Sequence, residues 1–243
     1  MTRLPDALPA VLALAGRGRL PYVALHKVPL YLHALKALAA AGGHRVLVVV
    51  DDADRERVAT ELRHAGLVAD VRAGDDWWES LRSCDVGAGL LVHDALCPLA
   101  SVDFIRSVRR EADARPDLSL LAYRPVTDTV KTVVDARIQG TIDREGLAAL
   151  VSPGVVAHRV LTTALADDDP PPIHDFARLA HWLRARGEVE LVRAPSLARR
   201  VDDASSVNLL ECVDELSRSV RREQPAERAV AVATNDAAAP GTP

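Results

Sequence analysis

Four places along the chain put chemically capable residues directly after an apolar run. The first is Gly16-Arg17-Gly18-Arg19, which ends the run beginning at Val11. Glycines let backbone amides approach an anion closely, and guanidinium groups add fixed charge, so such a loop can hold a chain of phosphates. It is neither a Walker motif nor a dinucleotide fingerprint, because no Gly-Lys-Ser/Thr and no correctly spaced third glycine follow. An ordinary strand-to-helix turn with solvated arginines accounts for the same residues. The other three places are Asp51 to Asp54, Ala73 to Ser80, and His93-Asp-Ala-Leu-Cys-Pro98.

The elements that would position these loops alternate between buried strand and helix. Val11 onward reads as a strand, Val28 to Ala41 as a helix stopped by Gly42-Gly43, and Val46 to Val50 as a strand apolar on both faces. Asp54 to Ala65 is an amphipathic helix, Val68 to Val71 a short strand, and Gly87 to Val92 a strand whose glycines imply tight packing against a neighbour. Ser101 to Ala114 is a helix and Leu118 to Tyr123 a strand. This alternation predicts an α/β fold, a doubly wound, mostly parallel, Rossmann-like sheet with its ligand site outside the carboxyl ends of the strands.

Residues 124–146 break the pattern. Thr127 to Val134 and Arg137 to Ile142 read as two extended segments joined near Asp135-Ala136, a protruding β-arm suited to exchange between two subunits. Helices follow at Val155 to Leu165 and Ile173 to Arg186, separated by the run from Asp167 to Pro172, which reads as a solvated linker. Val189 to Val192 is a strand, and Ser205 to Arg222 a closing helix. Residues 1–222 form one folded domain in this reading, and 223–243 a disordered tail.

Composition narrows the function. In 243 residues the net charge is -4, which leaves no basic footprint for nucleic acid. Three scattered cysteines, Cys84, Cys97 and Cys212, form neither a disulfide framework nor a paired metal motif, which fits a reducing cytoplasm. Met1 to Asp6 does not read as a secretory signal, and no apolar run approaches a membrane span. His174 and His181 share a helix face without a third ligand, which argues against zinc.

Four motifs in order resemble the methylerythritol phosphate cytidylyltransferase (IspD) family from about Ala10 to about Leu216. Val92-His-Asp-Ala-Leu-Cys-Pro98 is similar to that family's VHDAARP, and Thr127-Asp-Thr-Val-Lys131 to its SDTIK or RDTMK. Thr141-Ile-Asp-Arg-Glu-Gly-Leu147 is similar to TVDRNGL, and Gly74-Asp-Asp-Trp-Trp-Glu-Ser-Leu81 to GDERADSV. The resemblance implies a nucleotide-diphospho-sugar transferase-like fold, a homodimer joined through the arm, CTP and a small phosphorylated polyol as substrates, and a divalent cation, Mg2+.

It also implies roles. Ala15, Gly16, Gly18, Gly74, Ser80 and Ala95 would contact the nucleotide. Arg19 and Arg200 would neutralise the triphosphate, and Asp94 would sit by nucleotide and metal. Asp128, Thr129, Lys131, Arg144 and Ser152 would bind the acceptor, with Arg144 reaching its phosphate across the dimer. Departures accompany the matches. Pro21 is followed by Tyr22 where the family has its catalytic lysine, and Lys27 falls where the family has a glycine. Trp77 replaces an arginine, Phe176 a glutamate after Asp175, and Leu197 an aspartate that often contacts metal.

Bland alternatives stand beside several of these residues. Asp94 can cap the helix beyond Pro98, and His93 suits a satisfied strand-end position. Asp128 and Lys131 can pair across the hairpin, and Arg199-Arg200 can be a solvated pair. Trp77-Trp78 suits packing against a loop or neighbouring subunit as well as stacking on a base. Two functional expectations follow: a divergent cytidylyltransferase of weak activity, or a catalytically degenerate homologue that binds a partner or ligand. Loss of one phosphate-binding cation from a preorganised site costs roughly 100- to 1,000-fold in rate, so the missing lysine separates them.

Overall fold

A computed structural model describes residues 9–42, 45–82 and 89–219. The expectations for Met1 to Asp6, Gly43, Cys84, Gly87, the closing helix beyond residue 219 and the 223–243 tail lie outside these residues. The chain begins with strand β1 (Ala10–Ala13). A miniature hairpin, β2 (Ala24–Leu25) and β3 (Val28–Pro29), leads into helix α1 (Leu30–Ala40). Then come β4 (Val46–Val50), α2 (Arg55–His64), β5 (Asp70–Ala73), α3 (Asp76–Arg82) and β6 (Leu90–Asp94). Helix α4 (Val102–Ala114) starts on Ser101, whose hydroxyl accepts from the Phe104 amide and so satisfies one of the unpaired N–H groups of the first turn.

Strand β7 (Ser119–Pro125) runs out into the arm, β8 (Val130–Val134) and β9 (Arg137–Ile142). The chain returns in β10 (Ala148–Val156), followed by α5 (His158–Asp167), α6 (Phe176–Arg184), β11 (Val189–Arg193) and a last helix, α7, over 204–219. Seven strands make one sheet in the order β11-β7-β10-β6-β1-β4-β5, with only β10 antiparallel to its neighbours. Helices α1, α2 and α4 cover one face and α3, α5 and α6 the other, each through an aliphatic layer. The doubly wound, mostly parallel expectation matches this sheet. Among the described residues no helix is long and apolar enough to cross a membrane.

One sequence expectation is corrected and another extended. The helix expected from Val155 starts at His158, and the residues before it form β10, a central strand. Ser152-Pro153-Gly154 hides that strand by interrupting its apolar run, and the register shifts at this point, between Val151 and Gly154. The stretch from Asp167 to Pro172 is exposed at Asp167, Asp168 and Pro170, as a solvated linker would be, but it also makes specific contacts. Asp168 accepts from the Trp78 indole at 3.1 Å and pairs with Arg82, while Asp169 accepts from the Trp182 indole at 3.0 Å and pairs with Arg186. The acidic run therefore fastens α3 and α6 to one another.

The tight packing expected from the strand glycines is found at Gly89, which lies at φ +91 just before β6. A Cβ built there would meet the Val156 carbonyl oxygen at 2.4 Å and the His158 nitrogen at 3.2 Å. Backbone atoms cannot swing aside as side chains do. Gly89→Ala is expected to lower stability by about 3 kcal/mol, read from urea unfolding, through the clash and the positive φ together.

Candidate functional site

The carboxyl ends of the parallel strands gather the predicted loops along one edge. Because Ala13 of β1 pairs with Asp94 of β6, the glycine loop emerges beside that aspartate. Gly16 and Gly18 have φ of +70 and +56, a left-handed geometry that residues with a Cβ rarely adopt. The Gly16 amide donates to Asp51 Oδ1 at 3.1 Å, which ties the loop to the end of β4.

The two glycines send the two arginines in different directions. Arg17 turns inward, and its Nη2 donates to Asp94 Oδ2 at 2.7 Å. Arg200 reaches the same oxygen through Nε at 3.2 Å, while Asp94 Oδ1 accepts from the Leu96 amide at 2.9 Å. The Arg17 side chain is only 11% exposed, and its Nε is buried without a hydrogen-bond partner. Burial pushes Arg17 below the ordinary guanidinium value even though Asp94 pulls it the other way. Arg19 is exposed and lines a separate notch with Tyr22, Asp51, Asp54 and Arg57. The inward arginine of the loop is Arg17, which sequence reasoning passed over. Its one available signal was the glycine on each side of it.

Beside this clamp opens a cavity of about 1010 Å³. Ala15, Gly16, Gly74 and Trp77 form one wall; Pro171, Ile173 and Trp182 face them. Three of the predicted nucleotide contacts, Ala15, Gly16 and Gly74, thus share one apolar space. Trp77 and Trp78 are buried, with ring centroids 5.4 Å apart, and Trp78 is held by the acidic fastening described above. Asp175 caps α6 by accepting from the Ala177 and Arg178 amides, each at 3.0 Å, and these bonds hold its carboxyl below the usual range.

Other predicted residues lie elsewhere. Ser80 lines no part of this cavity, since its hydroxyl accepts from Arg72 Nε and donates to the Asp76 carbonyl, both at 2.7 Å. Ala95 is fully buried behind Asp94. Ser152 has no exposed surface and shares a 2.8 Å hydrogen bond with His93 Nδ1, so it is closed to any ligand within this subunit. Lys27 is exposed at the β2–β3 turn with φ +64, and the cavity lining does not include it. The neighbouring His26 fastens that turn to α7 through Asp214 at 3.0 Å and Glu211 at 3.2 Å.

On the arm, Asp128, Thr129, Lys131 and Arg144 are away from the clamp, with Asp128 and Thr129 exposed ahead of β8. Lys131 does not pair with Asp128. It donates across the hairpin to Thr141 Oγ1 at 2.5 Å, while Arg144 donates to the Thr127 carbonyl. A resident metal ion does not fit these residues. Both Asp94 oxygens are engaged, and no group of three or more His, Cys, Asp or Glu among the described residues could hold one.

A largely parallel seven-stranded sheet, with a glycine loop, cations and an apolar cavity at its strand ends, defines a nucleotidyltransferase-like α/β domain. The chain belongs to the 2-C-methyl-D-erythritol 4-phosphate cytidylyltransferase family (IspD), whose model matches residues 12–208. The enzyme of that name from Frankia casuarinae is 32% identical over 192 residues, covering 69% of this chain and 68% of its own. Its counterpart from Corynebacterium diphtheriae is 28% identical, covering 71% and 80%. The solved structure from Thermus thermophilus shares the fold at 19% identity and a TM-score of 0.67, covering 84% of this chain and 98% of that one.

His93 gives a pH signature. Burial pushes it from 6.5 down to about 3, so the folded protein keeps it neutral. Between these values the unfolded chain binds the extra proton, and stability falls as pH falls through about 6.5. Urea unfolding is expected to show the wild type losing about 2 kcal/mol more than His93→Asn between about pH 7 and about pH 5.

Proposed function

We propose that the chain transfers CMP from CTP to 2-C-methyl-D-erythritol 4-phosphate, or to a closely related small phosphate. The observation that carries this reading is the Arg17–Asp94–Arg200 clamp beside an apolar cavity, within a chain of this family. An oxygen of the acceptor phosphate attacks the α-phosphorus of CTP. A new P–O bond forms, the bond to the bridging α,β oxygen breaks, and its electron pair leaves with pyrophosphate.

That displacement needs aligned substrates and neutralised charge more than covalent help. The cytosine enters the cavity between Gly74, Trp77 and Pro171. Its triphosphate lies against the amides of the loop at Gly16 and Gly18. Arg17 and Arg200 keep their hold on Asp94 and offer their remaining N–H groups to the phosphates. Arg17 thereby supplies the inward cation for which the loop has no lysine. CTP arrives as its magnesium complex, the ion belonging to the substrate.

The arm supports a homodimer. Val133, Val134 and Ile138 are 56%, 52% and 69% exposed, an apolar surface with no cover in one subunit. In the dimer Asp128, Thr129, Lys131 and Arg144 serve the neighbouring subunit's acceptor. Cys97 and Cys212 are free thiols, in keeping with work in the cytoplasm.

Pyrophosphate release from CTP and methylerythritol phosphate tests the chemistry. Arg17→Ala is expected to lower kcat/KM by roughly 100- to 1,000-fold and Arg19→Ala by less than about tenfold. CTP binding without release by the wild type would favour the degenerate binding protein instead. Sedimentation tests the arm: the wild type should run as a dimer, and Ile138→Asp as a monomer with unchanged unfolding.

A further inference from the structure

Helix α7 is held to the body of the protein by little apolar surface. Over 204–219 its buried apolar residues are Val207 and Leu210, and Asp214 is buried on the same face. The spacing i, i+3, i+7 is that of an amphipathic core stripe, so a carboxylate stands where a third apolar side chain would pack. The partner that answers it comes from 188 residues away. His26 Nε2 lies 3.0 Å from Asp214 Oδ2. At the other ring nitrogen, Nδ1 lies 3.2 Å from Glu211 Oε1, which also accepts from the His26 amide at 2.6 Å. Glu215 stands farther from Nδ1, at 3.8 Å, and Arg218 reaches Asp214 Oδ2 at 2.6 Å.

The turn that offers His26 is unusual as well. Between β2 and β3, His26 and Lys27 have φ of +49 and +64, a region that residues with a Cβ seldom occupy and that hairpins commonly fill with Asn-Gly. Beneath the turn one apolar cluster joins five pieces of the strand-end surface. Leu20 follows the glycine loop, Leu25 lies in the hairpin, Leu96 follows Asp94, Val201 follows Arg200, and Leu210 belongs to α7. Residues 194–203, which carry Arg200, have no helix or strand of their own. They are pinned by the Val201 amide on the Leu96 carbonyl at 2.8 Å, and α7 closes the cluster directly after them. The place of Arg200 therefore depends on α7, and α7 is fastened through His26.

We infer that His26 and Asp214 form a latch between the β2–β3 turn and α7, and that His26 is a positioning residue which keeps Arg200 at Asp94 without touching either substrate. Its part in the reaction rests on the proposed transfer; the latch itself does not. A buried ion pair is commonly matched by apolar packing, and glycine makes a left-handed turn more easily, so stability alone accounts for neither choice. What the pair adds is register. An apolar contact lets a helix slide or roll, whereas two carboxylates on one imidazole and its backbone amide fix α7 at one place on one turn.

Mutant cycles test both halves. His26→Asn removes the ring while keeping a residue that tolerates positive φ, and Asp214→Asn removes the charge from the other side. Pyrophosphate release is measured for each variant and for the pair, in the wild type and in Arg200→Ala, and amide hydrogen exchange is recorded on the same proteins. Each single variant is expected to lower kcat/KM about tenfold, and the pair no further, because either loss opens the same latch. In Arg200→Ala each should cost less than about twofold. A merely structural role would lower the rate by the same factor in both backgrounds; that result, or additive losses in the pair, would overturn the positioning role. Exchange should rise over 20–29 and 194–219 and stay unchanged in β4 and β5. No rise in either segment would remove the latch itself. Absence of turnover in the wild type would sink the transfer reaction, and the exchange pattern would still decide the latch.

Discussion

One carboxylate holds the centre of this protein's strand-end surface. Asp94 is 1% exposed, and a charge so placed must be paired or it destabilises the fold. Two guanidiniums answer it, and each depends on a separate part of the architecture. Parallel pairing of β1 with β6 delivers Arg17, and left-handed glycines turn it inward. The loop after β11 delivers Arg200 through the Val201–Leu96 hydrogen bond. The second arginine has an acid of its own, since Arg200 also pairs with the exposed Asp202.

The apolar cavity follows from a different constraint. Its far wall is the proline run and α6, and these stand where they do because Asp168 and Asp169 tie two indoles and two arginines across the gap. Aromatic residues are only 3% of the chain, yet all three tryptophans gather around this space. An aliphatic core supplies bulk, while the few rings with N–H groups fix orientation.

Much of this architecture was legible in the sequence because apolar periodicity and glycine punctuation are local signals. The strand-helix alternation, the arm with its turn at Asp135-Ala136, and the helix from Ser101 all needed only neighbours to be read. What escaped required contacts between distant residues. Strand β10 was obscured because Ser152-Pro153-Gly154 carries breaker residues whose place in the sheet is granted by β6 and β7. Ser152 matched a ligand position by motif, but its burial against His93 is a tertiary fact. Arg17 and Arg19 are chemically identical in a sequence, and only the backbone sign at Gly16 and Gly18 tells inward from outward. The role of Asp168 and Asp169 was missed for a similar reason: their partners lie on α3, on α6 and just beyond the end of α6.

The reversed direction of β10 has a mechanical meaning. The arm leaves the sheet from β7 and re-enters through β10, two adjacent strands paired with each other from Ala148 opposite Pro125 to Val155 opposite Leu120. Any force along the arm is passed to both strands in the same sense. Their outer neighbours, β11 and β6, then resist it along the length of the ladder, many hydrogen bonds at once, instead of opening one bond after another from an end. The arm is thus anchored at both roots like a beam set into a wall, and its load is borne within two strands of the carboxylate that the two arginines hold.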